Sequence, residues 1–319
     1  MKVLAMVLAG GEGTRLRPLT HDVPKPALTL DKGLRIIDFV LSNLVNSGIS
    51  SIYVLLQYKP QAVIAHLARH WLAPAHVPNG FITAILPKRH TGGDFTGTAN
   101  AVYQNLDLIE RHGPDLVAVF AADHVYRMDV RQMVRFHEER NAQVTVAALP
   151  VPIQKASAFG ILSTGASGRL TEFQEKPCTP APIPSDPGRA YASMGNYLFE
   201  RAVLTTLLDQ AHRRGDVDFG MHILPRLPRT HRIFAYDFLT NRVPGVEPHE
   251  EPGYWRDIGT LEAFEAARQE VAGSRPRFNL FNSHWPVRRD VRDMRSNADD
   301  AAAAAFGVAA TQFDRNEVV

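Results

Sequence analysis

Five short apolar runs, at residues 3–9, 52–57, 81–86, 116–122 and 143–149, alternate with helix-length stretches through the first half of the chain. No other feature constrains the fold as strongly. Runs this short and rich in Val, Ile and Leu are strands covered on both faces, and helices between them make crossover connections. Helices are expected at 36–46, stopped by Gly48, and at 60–71, 98–111 and 130–140. The pattern predicts an α/β protein: a Rossmann-like, doubly wound, mostly parallel sheet with helices on both faces. Ligands of such sheets sit beyond the carboxyl ends of the strands, so the residue following each run carries the functional information.

The run at 3–9 follows Met1-Lys2 and ends directly in Gly10-Gly11, without the small-residue cleavage region of a signal peptide, and reads as a buried strand. No other run approaches the roughly 18 apolar residues of a membrane-spanning helix. The single cysteine, Cys178, excludes an intramolecular disulfide framework and a Cys-based zinc cluster, which points to the cytoplasm. Thirty-five basic against thirty-three acidic residues leave a formal charge of +2, so net charge argues for neither nucleic acid nor a membrane as partner. After residue 150 a hairpin is expected from 159–163 and 169–173, then a proline-rich loop at 177–187 and a strand at 190–199. Helices follow at 202–212, 219–227 and 261–271, the last capped by Thr260. From Ser296 the chain becomes Ala-rich and is expected to be a mobile terminus.

The first loop reads Gly10-Gly11-Glu12-Gly13-Thr14-Arg15-Leu16. Its glycines allow close backbone approach and turn several N–H groups toward one point, which suits a phosphate or a nucleobase. It is neither a dinucleotide fingerprint, whose third glycine would fall on Leu16, nor a P-loop, which needs Gly-Lys-Ser/Thr. A tight connection remains the plain alternative for such a turn taken alone. Two cations follow it, Arg15 and the Lys25 of Pro24-Lys25-Pro26, where prolines stiffen the backbone beneath the amine.

Asp123 ends the most apolar run and is a candidate metal ligand, against the alternative of a loop-ordering carboxylate. Asp257, within Tyr254-Trp255-Arg256-Asp257-Ile258-Gly259-Thr260, is a second. Two separated aspartates without a His/Cys cluster are what a nucleotide-bound Mg²⁺ requires, since that ion takes one or two carboxylates together with phosphate oxygens and water. Glu175 and Lys176, before Pro177, suit sugar hydroxyls and a sugar phosphate; taken alone they are also a solvated pair. His66 and His70 share a helical face but lack a third ligand, and His124 reads as an orienting neighbour of Asp123.

Val7 through Leu16 with Pro24-Lys25-Pro26-Ala27 resembles the signature of the sugar-1-phosphate nucleotidyltransferases, whose catalytic domain is GT-A-like. Arg35-Ile36-Ile37-Asp38-Phe39, Gly97-Thr98-Ala99, Asp123-His124-Val125-Tyr126, Ala158-Phe159-Gly160, Glu175-Lys176-Pro177, Ser193-Met194-Gly195 and the Tyr254-to-Thr260 cluster narrow the resemblance to the ADP-glucose pyrophosphorylases. The resemblance implies that ATP and α-D-glucose 1-phosphate give ADP-glucose and pyrophosphate, in glycogen biosynthesis, with Mg²⁺ as cofactor. It assigns Arg15 and Lys25 to the triphosphate, and Asp123 and Asp257 to the metal. Gly10, Gly11, Gly13, Thr14 and Gln57 fall to the nucleotide, and Phe95, Gly97, Gly160, Glu175, Lys176, Ser193 and Gly195 complete the substrate contacts. Catalysis then rests on Arg15, Lys25 and Asp123.

Family members continue into a left-handed β-helix that serves oligomerisation and effector binding, and the Ala-rich residues here lack its periodic strands. The expected organisation is a catalytic domain at 1–275, a linker at 276–295 and a tail at 296–319. A homo-oligomer, or association with a full-length paralogue, is the expected partnership. Phe95 and Asn100 replace a hydroxyl-bearing and an acidic residue of the family pattern, and Lys32 stands one place from the family's effector lysine. Two alternatives remain open: another nucleotide or sugar 1-phosphate, and a catalytically silent paralogue acting as a binding subunit.

Overall fold

The computed structural model describes residues 1–31, 33–71, 80–88 and 93–288. Lys32 and the Ala-rich tail from Ser296 lie outside the described residues. A nine-stranded sheet organises the chain. Its strands are β1 (Val3–Leu8), β2 (Ser51–Leu55), β3 (Phe81–Ile85), β4 (Leu116–Ala121), β5 (Val144–Pro152), β6 (Gly160–Thr164), β7 (Leu170–Glu175), β8 (Arg189–Glu200) and β9 (Ile233–Asp237). The spatial order is β7-β6-β8-β4-β1-β2-β3, with β5 pairing β8 and β9 pairing β5. The pairings β4–β1, β1–β2 and β2–β3 are parallel, as is β5–β9. Strand β8 runs antiparallel to β4, β5 and β6, and β7 runs antiparallel to β6, so every strand except β7 and β8 points the same way.

The alternation of side chains along β1 explains why the run is apolar throughout. Leu4 and Met6 enter a core layer with Ala99, Val102, Ile109, Leu204 and Leu208, whereas Ala5 and Val7 enter the opposite layer with Ile37, Val40, Leu41, Val63 and Met133. The first layer belongs to helices α3 (Thr98–Tyr103), α4 (Leu106–His112) and α6 (Arg201–Arg214). The second belongs to α1 (Ile36–Asn46), α2 (Gln61–His70) and α5 (Val130–Glu139). The doubly wound, two-faced arrangement expected from the apolar runs is thus present. No helix among the described residues is long and apolar enough to cross a membrane.

Two helix expectations need correction. The stretch 98–111 is broken into α3 and α4, because the Asn105 side chain donates to the Ala101 carbonyl at 2.8 Å while the Asn105 backbone N–H turns to Val102. The stretch 219–227 is a π turn, Phe219–Ile223, followed by a 3-10 turn, Leu224–Arg226, where Pro225 supplies no N–H to continue a helix. Helix α7 (Leu261–Glu270) begins as expected, with the Thr260 hydroxyl accepting from the Ala263 N–H at 3.2 Å.

A satellite core lies beside the sheet and builds the floor of the site. Leu16, Leu28, Ile36, Phe39, Val125, Tyr254, Ile258, Phe264, Phe278 and Leu280 pack together in it, joining segments from both ends of the chain. Residues 276–288, the described part of the stretch 276–295 read as a linker, lie against this core: Phe278, Leu280 and Trp285 are buried, and Arg288 N–H donates to the Ser42 hydroxyl. A two-stranded antiparallel ribbon crosses its edge, pairing His124–Tyr126 with Trp255–Asp257 in the register Asp257 to His124 and Trp255 to Tyr126.

Candidate active site

The glycine loop leaves β1 at its carboxyl end, where the Ala9 N–H still bonds the Leu55 carbonyl of β2 at 3.0 Å. Gly13 turns the chain in the left-handed region, with φ +67, and a Cβ there would lie 3.1 Å from the Lys25 Cβ. Glycine is therefore required twice over at this position, by conformation and by space. The Thr20 hydroxyl donates to the Gly13 carbonyl at 2.8 Å and ties the loop to the segment carrying Lys25. Gly11, by contrast, has nothing within 4 Å of a Cβ, so the fold itself does not demand a glycine there.

The loop forms one wall of a cavity of about 460 Å³ at the carboxyl edge of the parallel strands. Gly10, Gly11, Gly13, Arg15, Lys25, Gln57, Phe95, Gly97 and Asp123 all line it. Gln57 is committed to its wall: Nε2 donates to the Phe95 carbonyl at 3.3 Å, and the Phe95 N–H donates to Oε1. Gly97 is packed against backbone, since a Cβ would come 2.4 Å from the Val217 carbonyl oxygen.

Asp123 follows β4 and meets Asp257 because the ribbon pairs their neighbours and the Ile258 N–H bonds the Asp123 carbonyl at 3.2 Å. Lys25 Nζ lies between the two carboxylates, 2.8 Å from Asp123 Oδ2 and 3.3 Å from Asp257 Oδ1. The lysine is only 8% exposed, whereas the side chains of Asp123 and Asp257 are 38% and 31% exposed, so the contact is desolvated on the lysine's side. His124 Nε2 stands 3.2 Å from Asp123 Oδ1 and 4.0 Å from Asp257 Oδ1. Its ring is held by Trp255 at 4.9 Å, which in turn meets Phe159 at 5.6 Å. Burial by itself would raise the Asp123 carboxyl; the charges of His124 and Lys25 outweigh it and hold the group below the ordinary carboxylate range.

Asp123, His124 and Asp257 each offer a ligand atom, and these atoms lie within 4.8 Å of one another. Asp123 Oδ1 is buried with no hydrogen-bond partner, since the approach of His124 lacks bonding geometry. Two oxygen ligands with an unsatisfied lone pair fit a hard divalent cation.

The remaining expected site residues form a neighbouring group. Gly160 packs so closely that a Cβ would lie 2.6 Å from the Phe173 ring and 2.9 Å from Glu175 Oε2. Burial raises the Glu175 carboxyl, with Asp218 adding to the rise and Lys176, 3.6 Å away, opposing it. Lys176 itself has φ 46, an uncommon conformation for a lysine. Gly195 N–H donates to the Ser193 hydroxyl at 3.3 Å, and a Gly195 Cβ would lie 3.5 Å from the His124 ring, so this group abuts the paired aspartates. Arg15 and Thr14 are exposed in the 3-10 turn Thr14–Leu16, which Leu16 anchors in the satellite core. An Arg15 terminal nitrogen lies 3.5 Å from where a Gly259 Cβ would stand.

Asp218 escaped the sequence reading, and Thr98 entered it only within the motif Gly97-Thr98-Ala99. Asp218 caps the π turn through the Met221 N–H and accepts from the Thr98 hydroxyl at 2.8 Å, beside Glu175 and the cavity. The signal was an aspartate before Phe219-Gly220, which resembles any other cap. His66 and His70 belong elsewhere: His66 Nε2 lies 2.6 Å from the buried Asp38 carboxylate, which also accepts from the Trp71 indole at 2.8 Å.

The nucleotidyl transferase family pattern matches residues 4–274. Among curated proteins, "Glucose-1-phosphate adenylyltransferase" of Thermodesulfovibrio yellowstonii is 48% identical over 288 residues, covering 90% of this chain and 70% of the relative. The protein of the same name from Thermus thermophilus is 45% identical over 297 residues, covering 90% and 71%. That of Mycolicibacterium smegmatis is 41% identical over 327 residues, covering 99% and 80%.

Proposed function

Since the chain belongs to the nucleotidyl transferase family, we propose that it acts as a glucose-1-phosphate adenylyltransferase, forming ADP-glucose and pyrophosphate from ATP and α-D-glucose 1-phosphate. The product is a glucosyl donor for α-glucan synthesis, and the setting is the cytoplasm. One observation carries the reading most directly: two aspartates remote in sequence meet around Lys25 at the mouth of a cavity walled by the glycine loop.

In the proposed reaction a phosphate oxygen of the sugar phosphate attacks the α-phosphorus of ATP in line. The new P–O bond forms as the bond from the α-phosphorus to the bridging oxygen breaks, and pyrophosphate leaves with that electron pair. No protein nucleophile is needed, so the chain acts through positioning and charge. The glycine loop brings backbone N–H groups to the polyphosphate, and Arg15 and Lys25 face its developing charge. Gln57 and Phe95 shape the wall against the base. Glu175 accepts from sugar hydroxyls, with Lys176 toward the sugar's phosphate and Gly160, Ser193 and Gly195 framing the space. Asp123 and Asp257 hold a divalent ion, read as Mg²⁺, which supplies neutralisation of phosphate charge when bound.

The test is pyrophosphate release from ATP, UTP and dTTP, each with glucose 1-phosphate or mannose 1-phosphate, in the presence of Mg²⁺. The expected result is highest turnover with ATP and glucose 1-phosphate, and a loss of about a hundredfold or more in Asp123→Asn. Background release from both proteins would overturn the enzymatic reading, and a preference for another pair would overturn the substrate assignment.

A further inference from the structure

Lys25 shares both carboxylates that a divalent ion would take: it bonds Asp123 through Oδ2, beside the unpartnered Oδ1, and Asp257 through Oδ1. Its ammonium bridges one oxygen of each aspartate, at 2.8 and 3.3 Å, and these carboxylates are the two hard ligands of the cluster. The ribbon backbone brings the two carboxylates together, and the ammonium between them offsets their repulsion. A divalent ion held by the same two carboxylates would lie within a few ångströms of Nζ, a distance at which two cations repel.

We propose that Lys25 is an exchangeable counter-ion: its ammonium holds the two aspartates in the metal-free protein, and metal binding expels it into the adjoining cavity, where it meets the nucleotide's phosphates. This rests on the reading of Asp123 and Asp257 as metal ligands. The construction suits an exchange. Pro24 and Pro26 flank Lys25 in a 3-10 turn, Lys25–Ala27, and its Cβ lies against Gly13, so the root of the side chain is held while the tip swings on a flexible stem. The cavity into which it swings is bounded by Gly11, Gly13, Arg15 and Asp123, and Lys25 already lines it. The proposal gives the lysine a second task. By competing for the aspartates it keeps the empty enzyme from binding free metal tightly, and the triphosphate, by taking the ammonium, lets the ion in.

Mn²⁺ serves as the probe, read by the loss of its free-ion electron paramagnetic resonance signal on titration into nucleotide-free protein. Lys25→Met keeps the stem and removes the charge, and is expected to bind Mn²⁺ on the order of tenfold more tightly than the native chain. Equal or weaker binding by this variant would overturn the exchange while leaving the metal reading intact. Asp123→Asn is expected to bind Mn²⁺ much more weakly; if it binds as the native chain does, the assignment of the aspartates fails, and the exchange with it.

A second measurement needs no variant and holds if Lys25→Met does not fold. Acylation of Lys25 in the native protein, followed by peptide mass spectrometry, is expected to accelerate severalfold on adding Mg²⁺ without nucleotide. Labelling that is unchanged or slowed by the ion would overturn the proposal.

Discussion

A single methyl group separates two kinds of glycine at this site. Gly97→Ala would drive a Cβ to 2.4 Å from the Val217 carbonyl, against backbone that cannot yield cheaply. Its expected cost is about 1–3 kcal/mol, read as a lowered midpoint in denaturant unfolding. Gly11→Ala meets nothing within 4 Å, so the midpoint is expected to hold while ATP binding weakens, measurable by calorimetry on the same preparation. His137 makes a prediction far from the cavity. It is buried, its Nδ1 lies 2.8 Å from the Thr145 hydroxyl, and Nε2 has no partner. Burial pushes its pKa down to about 4 from the usual 6.5. The unfolded chain therefore takes up a proton near pH 6.5 that the folded chain refuses until about pH 4. This contribution is intact above pH 6.5 and is lost as the pH falls, to a total on the order of 3 kcal/mol. In His137→Gln the fall in unfolding free energy between about pH 7 and about pH 4.5 is expected to be shallower; an unchanged slope would contradict it.

The elements that build the site are unequal in what they announce. Strands β1 and β4 are apolar runs with chemistry-bearing residues at their ends, legible because burial on both faces leaves no polar positions. The ribbon that matters as much has three residues on each side, too short for any periodicity, and its strength comes from what clamps it. Arg127 follows the first strand of the ribbon, and its guanidinium bonds Glu250 at 3.1 Å and stacks on Phe278 at 4.4 Å. Glu250 also accepts from the Asn279 N–H at 2.7 Å and the Glu247 N–H at 2.8 Å. Glu250→Ala leaves a buried guanidinium without its carboxylate and is expected to cost about 3–5 kcal/mol in unfolding free energy. Helix α1 was legible from residue 36 to 46, but not that Asp38 would anchor α2 through Trp71 and His66. That contact joins elements separated by a strand, and no local pattern records it.

At the scale of the molecule, residues 276–288 complete the satellite core. Phe278 lies 6.0 Å from Phe39 and 4.9 Å from Tyr254, Asn46 donates to the Pro286 carbonyl at 2.9 Å, and Leu280 and Trp285 are buried. A chain ending at residue 288 keeps all of these contacts. One ending at 275 loses the burial of three large side chains, on the order of 5 kcal/mol, and is expected to melt well below it in calorimetry. Equal melting of the two would show that this segment is dispensable to the core.

The amino-acid sequence by itself determined the α/β class, the two-faced sheet, the glycine loop and the acidic residues beyond the strands, because each is written in contiguous residues whose burial pattern or turn chemistry is local. Tertiary structure alone decided that Lys25 stands between Asp123 and Asp257, that Asp218 joins Glu175, and that residues 276–288 close the floor. These depend on side chains meeting across most of the chain. Such meetings follow from how whole layers pack, and no window of sequence contains them.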